Sequence, residues 1–216
     1  MLATLPLPFY FLIGGLISIF LPKGVIKSSF VCFVPVVALL ALLNGVWDNG
    51  FTVQFLDLEL NFMRVDKLST VFGIIFCIAA FLGNVFAFHL RDSTQPFVAL
   101  IYAGAAIGAV FAGDLITLFV YWELTAISSV FLIWARKTEG AYHAGMRYLI
   151  IQVLSGVVLL FGVALFYFET GSISFVKMEL SSLATVLIFI AFGIKCAFPF
   201  MHNWLQDSYP SATITG

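Results

Sequence analysis

Charge is scarce in this chain: only 10% of its 216 residues are Asp, Glu, Lys or Arg, against about 25% in an ordinary soluble domain. A soluble fold of this size would lack the polar surface it needs. The 10 basic and 11 acidic residues nearly cancel, to a net charge of −1, which removes any electrostatic case for binding nucleic acid. Cysteine is equally sparse. Cys32, Cys77 and Cys196 each fall inside an apolar run, so there is no disulfide framework, no paired spacing for a metal and no ligand set for an iron–sulfur cluster. No glycine fingerprint for a dinucleotide occurs, and no cofactor is expected. The N-terminus, "MLATLPLPFYFLIGG", has neither a basic leader nor a cleavage site; it reads as a retained span, not a signal peptide.

What fills the chain instead is hydrocarbon. Hydrophobic residues make up 62% of it, with 25 Phe and a mean hydropathy of +1.10. The expectation is an all-α integral membrane protein. Seven spans can be drawn: Pro6–Leu21, Ser28–Val46, Leu68–Leu90, Pro96–Ala112, Leu115–Trp134, Gly145–Phe168 and Ser182–Phe198. Only Gly113 and Asp114 separate the fourth and fifth, a tight helical hairpin. Lys23, Lys27, Arg91, Arg136 and Lys137, with Arg147 nearby, outnumber Arg64, Lys67 and Lys177 in the alternate loops. The richer set should face the cytoplasm, leaving the N-terminus outside the cell inner membrane. In the loop 47–66, "FTVQFLDLELNF" alternates in one phase and then in the opposite one. This predicts two short strands or a bulge, with Asp57 and Glu59 on a solvated side. Gly104 and Gly108 form a GxxxG in the fourth span, a mark of close helix packing.

Two residues break the apolar pattern. Glu123 lies nine residues after Asp114 in "LITLFVYWELTAISSVFLIW", about 13 Å into the bilayer and near its midplane. An ionised acid there costs about 3 kcal/mol on insertion scales, so it must be protonated, paired or hydrated. Thr117, Tyr121, Thr125 and Ser128 point roughly away from it, while Phe119, Val120, Ala126 and Ile127 share its face; any partner comes from another helix or from water. Lys195, in "FIAFGIKCAFPF", is the basic residue set well within an apolar stretch. Pro199, four residues on, has no N–H for the Lys195 carbonyl and crowds it, so the helix should break one turn past the lysine. Broken helices at membrane depth line wet cavities in transporters. The polar tail "MHNWLQDSYPSATITG" follows, with His202 and Asp207. An acid and an amine on different helices make a proton device. Contact favours the charged form of both, and separation in an apolar setting favours the neutral forms. Of the remaining polar groups, Gln152 is expected to form a helix–helix hydrogen bond, with a place on a proton path as the alternative. His143 and Arg147 read as interfacial anchors, His202 as a satisfied loop residue and His89 as interfacial.

At these residues the sequence resembles the proton-translocating antiporter-like membrane subunits of Mrp sodium/proton antiporters, respiratory complex I and membrane-bound hydrogenases. The passages are "MRVDKLSTVFGII", "AGDLITLFVYWELTAISSVFLIW", "GMRYLIIQVLSGVVLLFGVALFY" and "GIKCAFPFMHNWLQDSYPSATITG". The ending "DSYPSATITG" is closer to the D-type branch of the Mrp subunits. The resemblance implies that Glu123 and Lys195 are the proton-transferring pair, with His202, Gln152 and Asp207 as further path residues and Pro199 as the helix break. It implies a non-enzymatic transporter subunit without cofactor or metal, other membrane subunits as partners, and protons with a monovalent cation, sodium, as cargo. Family members have about fourteen spans in two inverted repeats. Residues 1–95 then read as a three-helix segment and 96–216 as an incomplete first repeat without its eighth helix, so the chain is expected to be a fragment or half of a split protein. The rival within the family is a proton-pumping component of an energy-converting NADH:quinone oxidoreductase or hydrogenase. A remote rival is a retinal protein, which fits seven spans and a lysine in the seventh. Against it, the third span lacks a counter-ion acid and Ala191 stands one turn before Lys195.

Overall fold

Lipid offers no hydrogen bonds, so an apolar chain satisfies its backbone within helices. The computed structural model describes residues 5–45, 51–56, 58–90, 92 and 94–215. They form α1 (Leu7–Phe20), α2 (Val25–Leu43), a hairpin of β1 (Thr52–Phe55) and β2 (Leu58–Asn61), α3 (Lys67–Phe86), α4 (Thr94–Phe111), α5 (Leu115–Trp134), α6 (Glu139–Thr170), α7 (Leu183–Lys195) and the short α8 (Asn203–Ser208). Among the described residues, five helices are long and apolar enough to cross a membrane: α2, α3 with the turn after it, α4, α5 and α6. The expected first and seventh spans are helices of only 14 and 13 residues, against the roughly 20 that an upright crossing needs. Length alone therefore does not confirm the expected seven crossings. The sixth helix departs in the other direction. It starts six residues before the expected span, because its first turns carry Glu139, His143 and Arg147 and hydropathy marks only the apolar remainder. Thr138 caps it by accepting from the Ala141 N–H at 3.2 Å, and Gly171 ends it in the left-handed region at φ 70°.

The helices pack around two main cores. Leu7, Phe11, Val34, Leu42, Leu100 and Phe111 join α1, α2 and α4. Leu118, Trp122, Leu159, Val163 and Ile188 join α5, α6 and α7. The GxxxG of α4 serves both sides: a Cβ at Gly104 would meet the Phe11 side chain of α1 at 2.7 Å, and one at Gly108 would overlap the Tyr121 ring of α5. Close contact is therefore what those glycines permit.

The phase switch in the loop 47–66 is a β-hairpin. Its antiparallel register pairs Thr52 with Asn61 and Phe55 with Leu58, and Leu56 at φ 54° begins the turn. Glu59 stands opposite Gln54, on the solvated side as expected, while Asp57, Arg91 and residues 46–50 lie outside the described residues. The hairpin is clasped by Asp114, which is 3% exposed. Its carboxylate accepts from the Asn61 N–H at 2.7 Å and from the Thr117 N–H and hydroxyl, each at 2.7 Å. It thereby caps α5 and pins β2 to the α4–α5 hairpin. Removing it should lower thermal stability by about 2 kcal/mol, since a cap and a buried acceptor vanish together; melting of Asp114→Ala in detergent checks this, with Asp114→Asn expected to lose less.

Asp66 caps α3 in a capping box with Ser69. The Ser69 backbone N–H holds its carboxyl below the usual carboxylate range, helped by the Ser69 hydroxyl and the Arg64 charge against desolvation. The cap's contribution is complete above the unfolded value of about 3.9 and fades as pH falls through the lower folded value. Asp66→Ala should therefore melt below the wild type at neutral pH, and the gap should close in strong acid.

Candidate functional site

The site begins where α7 stops. Lys195 is the last residue of that helix and Cys196 caps it. Pro199 lies between two non-glycine residues in the left-handed region, Ala197 at φ 53° and Phe200 at φ 71°. The break thus falls at the lysine itself, one turn earlier than the proline alone predicts. The freed carbonyls find donors locally. The Cys196 N–H reaches Phe192 O at 2.8 Å and the Phe198 N–H reaches Gly193 O at 2.9 Å. The Trp204 indole N–H of α8 reaches Ile194 O at 3.0 Å.

Released at a helix end, the Lys195 side chain turns to α5. Its ammonium donates to the Trp122 carbonyl at 3.2 Å and lies 5.1 Å from the centroid of the Trp122 ring. Glu123, the next residue, points instead at α6: a Cβ at Gly156 would overlap its Oε1 and lie 2.7 Å from its Cδ. Oε1 is buried without a hydrogen-bond partner among the described residues. The acid and the amine do not form an ion pair here; the ion pairs among the described residues lie elsewhere. Lys195 is thus held by Trp122, the residue that precedes Glu123 in the chain.

The other expected path residues divide. Gln152 is fully buried on α6, one turn before Gly156. Both of its amide atoms lack a partner among the described residues, so it does not make the expected helix–helix hydrogen bond. Ser155 does, accepting from the Trp122 indole N–H at 3.1 Å. Asp207 is exposed on α8 and accepts from Arg147 Nε at 2.9 Å. Arg147 therefore ties α6 to α8 instead of simply anchoring at the interface. His202 is half-buried at the N-cap of α8. His143 faces Glu139 on an exposed flank at 3.8 Å. His89 Nδ1 lies 3.0 Å from the Phe86 carbonyl. A cavity of about 360 Å³ between α2, α3 and α4, with Asn84 and Gln95 on its wall, includes none of the expected site residues.

The apolar helices, the hairpin-clasped α5 and the interrupted α7 define a multi-pass helical membrane protein with ionisable groups held inside the bundle. Residues 112–216 match the NADH:quinone oxidoreductase/Mrp antiporter transmembrane family. The chain is 26% identical over 238 residues to the D subunit of a Na(+)/H(+) antiporter of Alkalihalophilus pseudofirmus, covering 99% of this chain and 48% of that protein. It is 31% identical over 221 residues to the N subunit of an NADH-quinone oxidoreductase of Desulfitobacterium hafniense, covering 91% and 42%. The fold matches a chain of an archaeal respiratory membrane complex, the membrane-bound sulfane sulfur reductase, with a TM-score of 0.80 at 22% identity over 95% of this chain and 47% of that one. The chain thus spans less than half the length of these relatives.

The contact of Glu123 with Gly156 has a direct test. Gly156→Ala should cost about 1–3 kcal/mol of stability by overpacking. In a Glu123→Ala background the same change should cost much less, because the clashing carboxylate is gone. A double-mutant cycle by thermal melting measures the difference.

Proposed function

We propose that this chain is a proton-conducting membrane subunit of a multisubunit sodium/proton antiporter, not itself an enzyme, in which Glu123 and Lys195 transfer the proton. The observation that carries the reading is their placement: an acid on α5, and an amine at the broken end of α7 that donates to the carbonyl of the residue preceding that acid. A charge in that setting is retained for a purpose far more often than for packing. Lys195 has a carbonyl and a ring face in place of the carboxylate, which is the separated half of a pair that opens and closes. The relative aligned over nearly the whole chain, at 99%, is the D subunit of an antiporter. Seven crossings follow if the short α1 and α7 sit tilted or deep among their neighbours. Residues 96–216 would then carry the transport unit beside the helices of 1–95. Other membrane subunits of the same complex would be the partners. The N-terminus would lie outside the inner membrane.

A second reading has its own support. The 31% identity to a component of an NADH-quinone oxidoreductase over 91% of this chain points to a proton-pumping, non-redox role powered by a neighbouring electron-transfer module. The chemistry at Glu123 and Lys195 would be the same and only the driving force would differ. His202, Gln152 and Asp207 would extend the path in either case, with Gln152 nearest to the Glu123–Gly156 contact along α6.

In inverted membrane vesicles, Glu123→Gln and Lys195→Ala should each reduce proton movement at least about tenfold while leaving the protein in its complex. Proton movement evoked by sodium marks the antiporter, and movement evoked by NADH alone marks the redox pump. Wild-type rates in either variant would refute the shared reading.

A further inference from the structure

The most connected side chain of the site is one that neither the acid nor the amine requires by charge. Trp122 is 5% exposed and touches two neighbouring helices, α6 and α7. Its indole N–H donates to Ser155 of α6 at 3.1 Å, and the Ser155 hydroxyl passes on to the Gln152 carbonyl at 2.6 Å. Its ring meets Phe192 of α7 edge to face, with centroids 5.0 Å apart. Those two contacts fix the plane of the indole. Against that fixed face lies the Lys195 ammonium, 5.1 Å from the centroid. The Trp122 carbonyl accepts both this ammonium, at 3.2 Å, and the Thr125 hydroxyl, at 2.6 Å. An indole face is the strongest aromatic partner for a cation, and the attraction grows as water is removed.

We infer that Trp122 is a positioning residue that gives the Lys195 ammonium a seat apart from the Glu123 carboxylate. The inference rests on the reading of Lys195 as a proton carrier. An amine and a carboxylate left alone in an apolar interior attract each other strongly and would stay together. A pair that never parts moves no protons. The seat supplies the competing attraction: a ring face and a carbonyl, both neutral, that hold the ammonium within reach of the acid but off it. Because the carbonyl belongs to the residue before Glu123, the seat and the acid are fixed to the same turn of α5. The lysine then travels between two stops on one rigid helix, and α7 need not move as a whole.

Fluorination of the indole tests this, since fluorine drains electron density from the ring face with little change of shape. Tryptophan analogues bearing one to four ring fluorines are placed at position 122 alone, in the protein in its native membrane. Proton translocation is then measured in vesicles at fixed driving force, with Lys195→Ala as the control. The expected result is a stepwise fall in turnover with each fluorine, roughly threefold or more across the series, as the cation's attraction to the ring weakens. A rate that stays flat or rises across the series overturns the seat. If Lys195→Ala itself keeps wild-type turnover, the proton-carrier reading fails and takes the seat with it. A flat series beside an inactive Lys195→Ala defeats the seat alone. Trp122→Leu is the cruder companion, expected to lose at least as much as full fluorination. The fluorinated series keeps the fold intact where the leucine variant could lose it.

Discussion

A helix that ends inside an apolar bundle leaves carbonyl oxygens that water would otherwise solvate, and each unmet one costs on the order of several kcal/mol in lipid. The end of α7 is organised around that demand. Phe198 and Trp204 supply N–H donors to Gly193 and Ile194, and two residues accept left-handed backbone so that the chain can turn back and deliver α8. With its own last turn satisfied, α7 sends its terminal side chain across to a carbonyl of α5. The position of Lys195 thus follows from how the break is sealed as much as from the lysine.

The same economy holds at the start of α5. Asp114 is a buried carboxylate that meets no basic side chain among the described residues; three donors, from a strand and from the first turn of α5, take that place. It converts the three-residue link between α4 and α5 into a clasp that also holds the hairpin. Glu123 is thereby mounted on a helix whose start is fixed in three directions. At the opposite end of the bundle, Arg147–Asp207 ties α8 to α6, and Arg136, just past α5, bonds to the Pro210 carbonyl after α8.

Composition made the membrane class legible, and the phase switch at "FTVQFLDLELNF" made the hairpin legible, because both are periodic signals that survive without tertiary context. Helix ends were less legible. Hydropathy overran α7, whose break depends on left-handed Ala197 and Phe200, residue types that announce nothing. It underran α6, whose polar first turns continue the helix outside the apolar run. Of the site, Glu123 and Lys195 stood out as charges among apolar neighbours. Trp122, Ser155 and Gly156 did not. A tryptophan beside a glutamate in an apolar helix reads as filler, and a glycine in a small-residue helix reads as packing, until the fold lays an ammonium on the one and a carboxylate on the other. The signal available was adjacency: Trp122 precedes Glu123, and Gly156 sits one turn after the polar Gln152. The Gln152 amide shows the reverse error, a polar group assigned a partner helix that the neighbouring serine serves.

One feature of α6 reaches beyond its local contacts. At 32 residues it is about 48 Å long, against a hydrocarbon layer of about 30 Å, and no proline interrupts it. From Glu139 to Gly156 the rod measures about 26 Å. Pivoting it by about 5° around its opposite end at Thr170, about 21 Å from Gly156, would carry Gly156 sideways by about 2 Å, which is comparable to the clearance that the missing methyl leaves for Glu123. A push on the exposed flank that carries Glu139, His143 and Arg147 would therefore shift Gly156 against the Glu123 carboxylate.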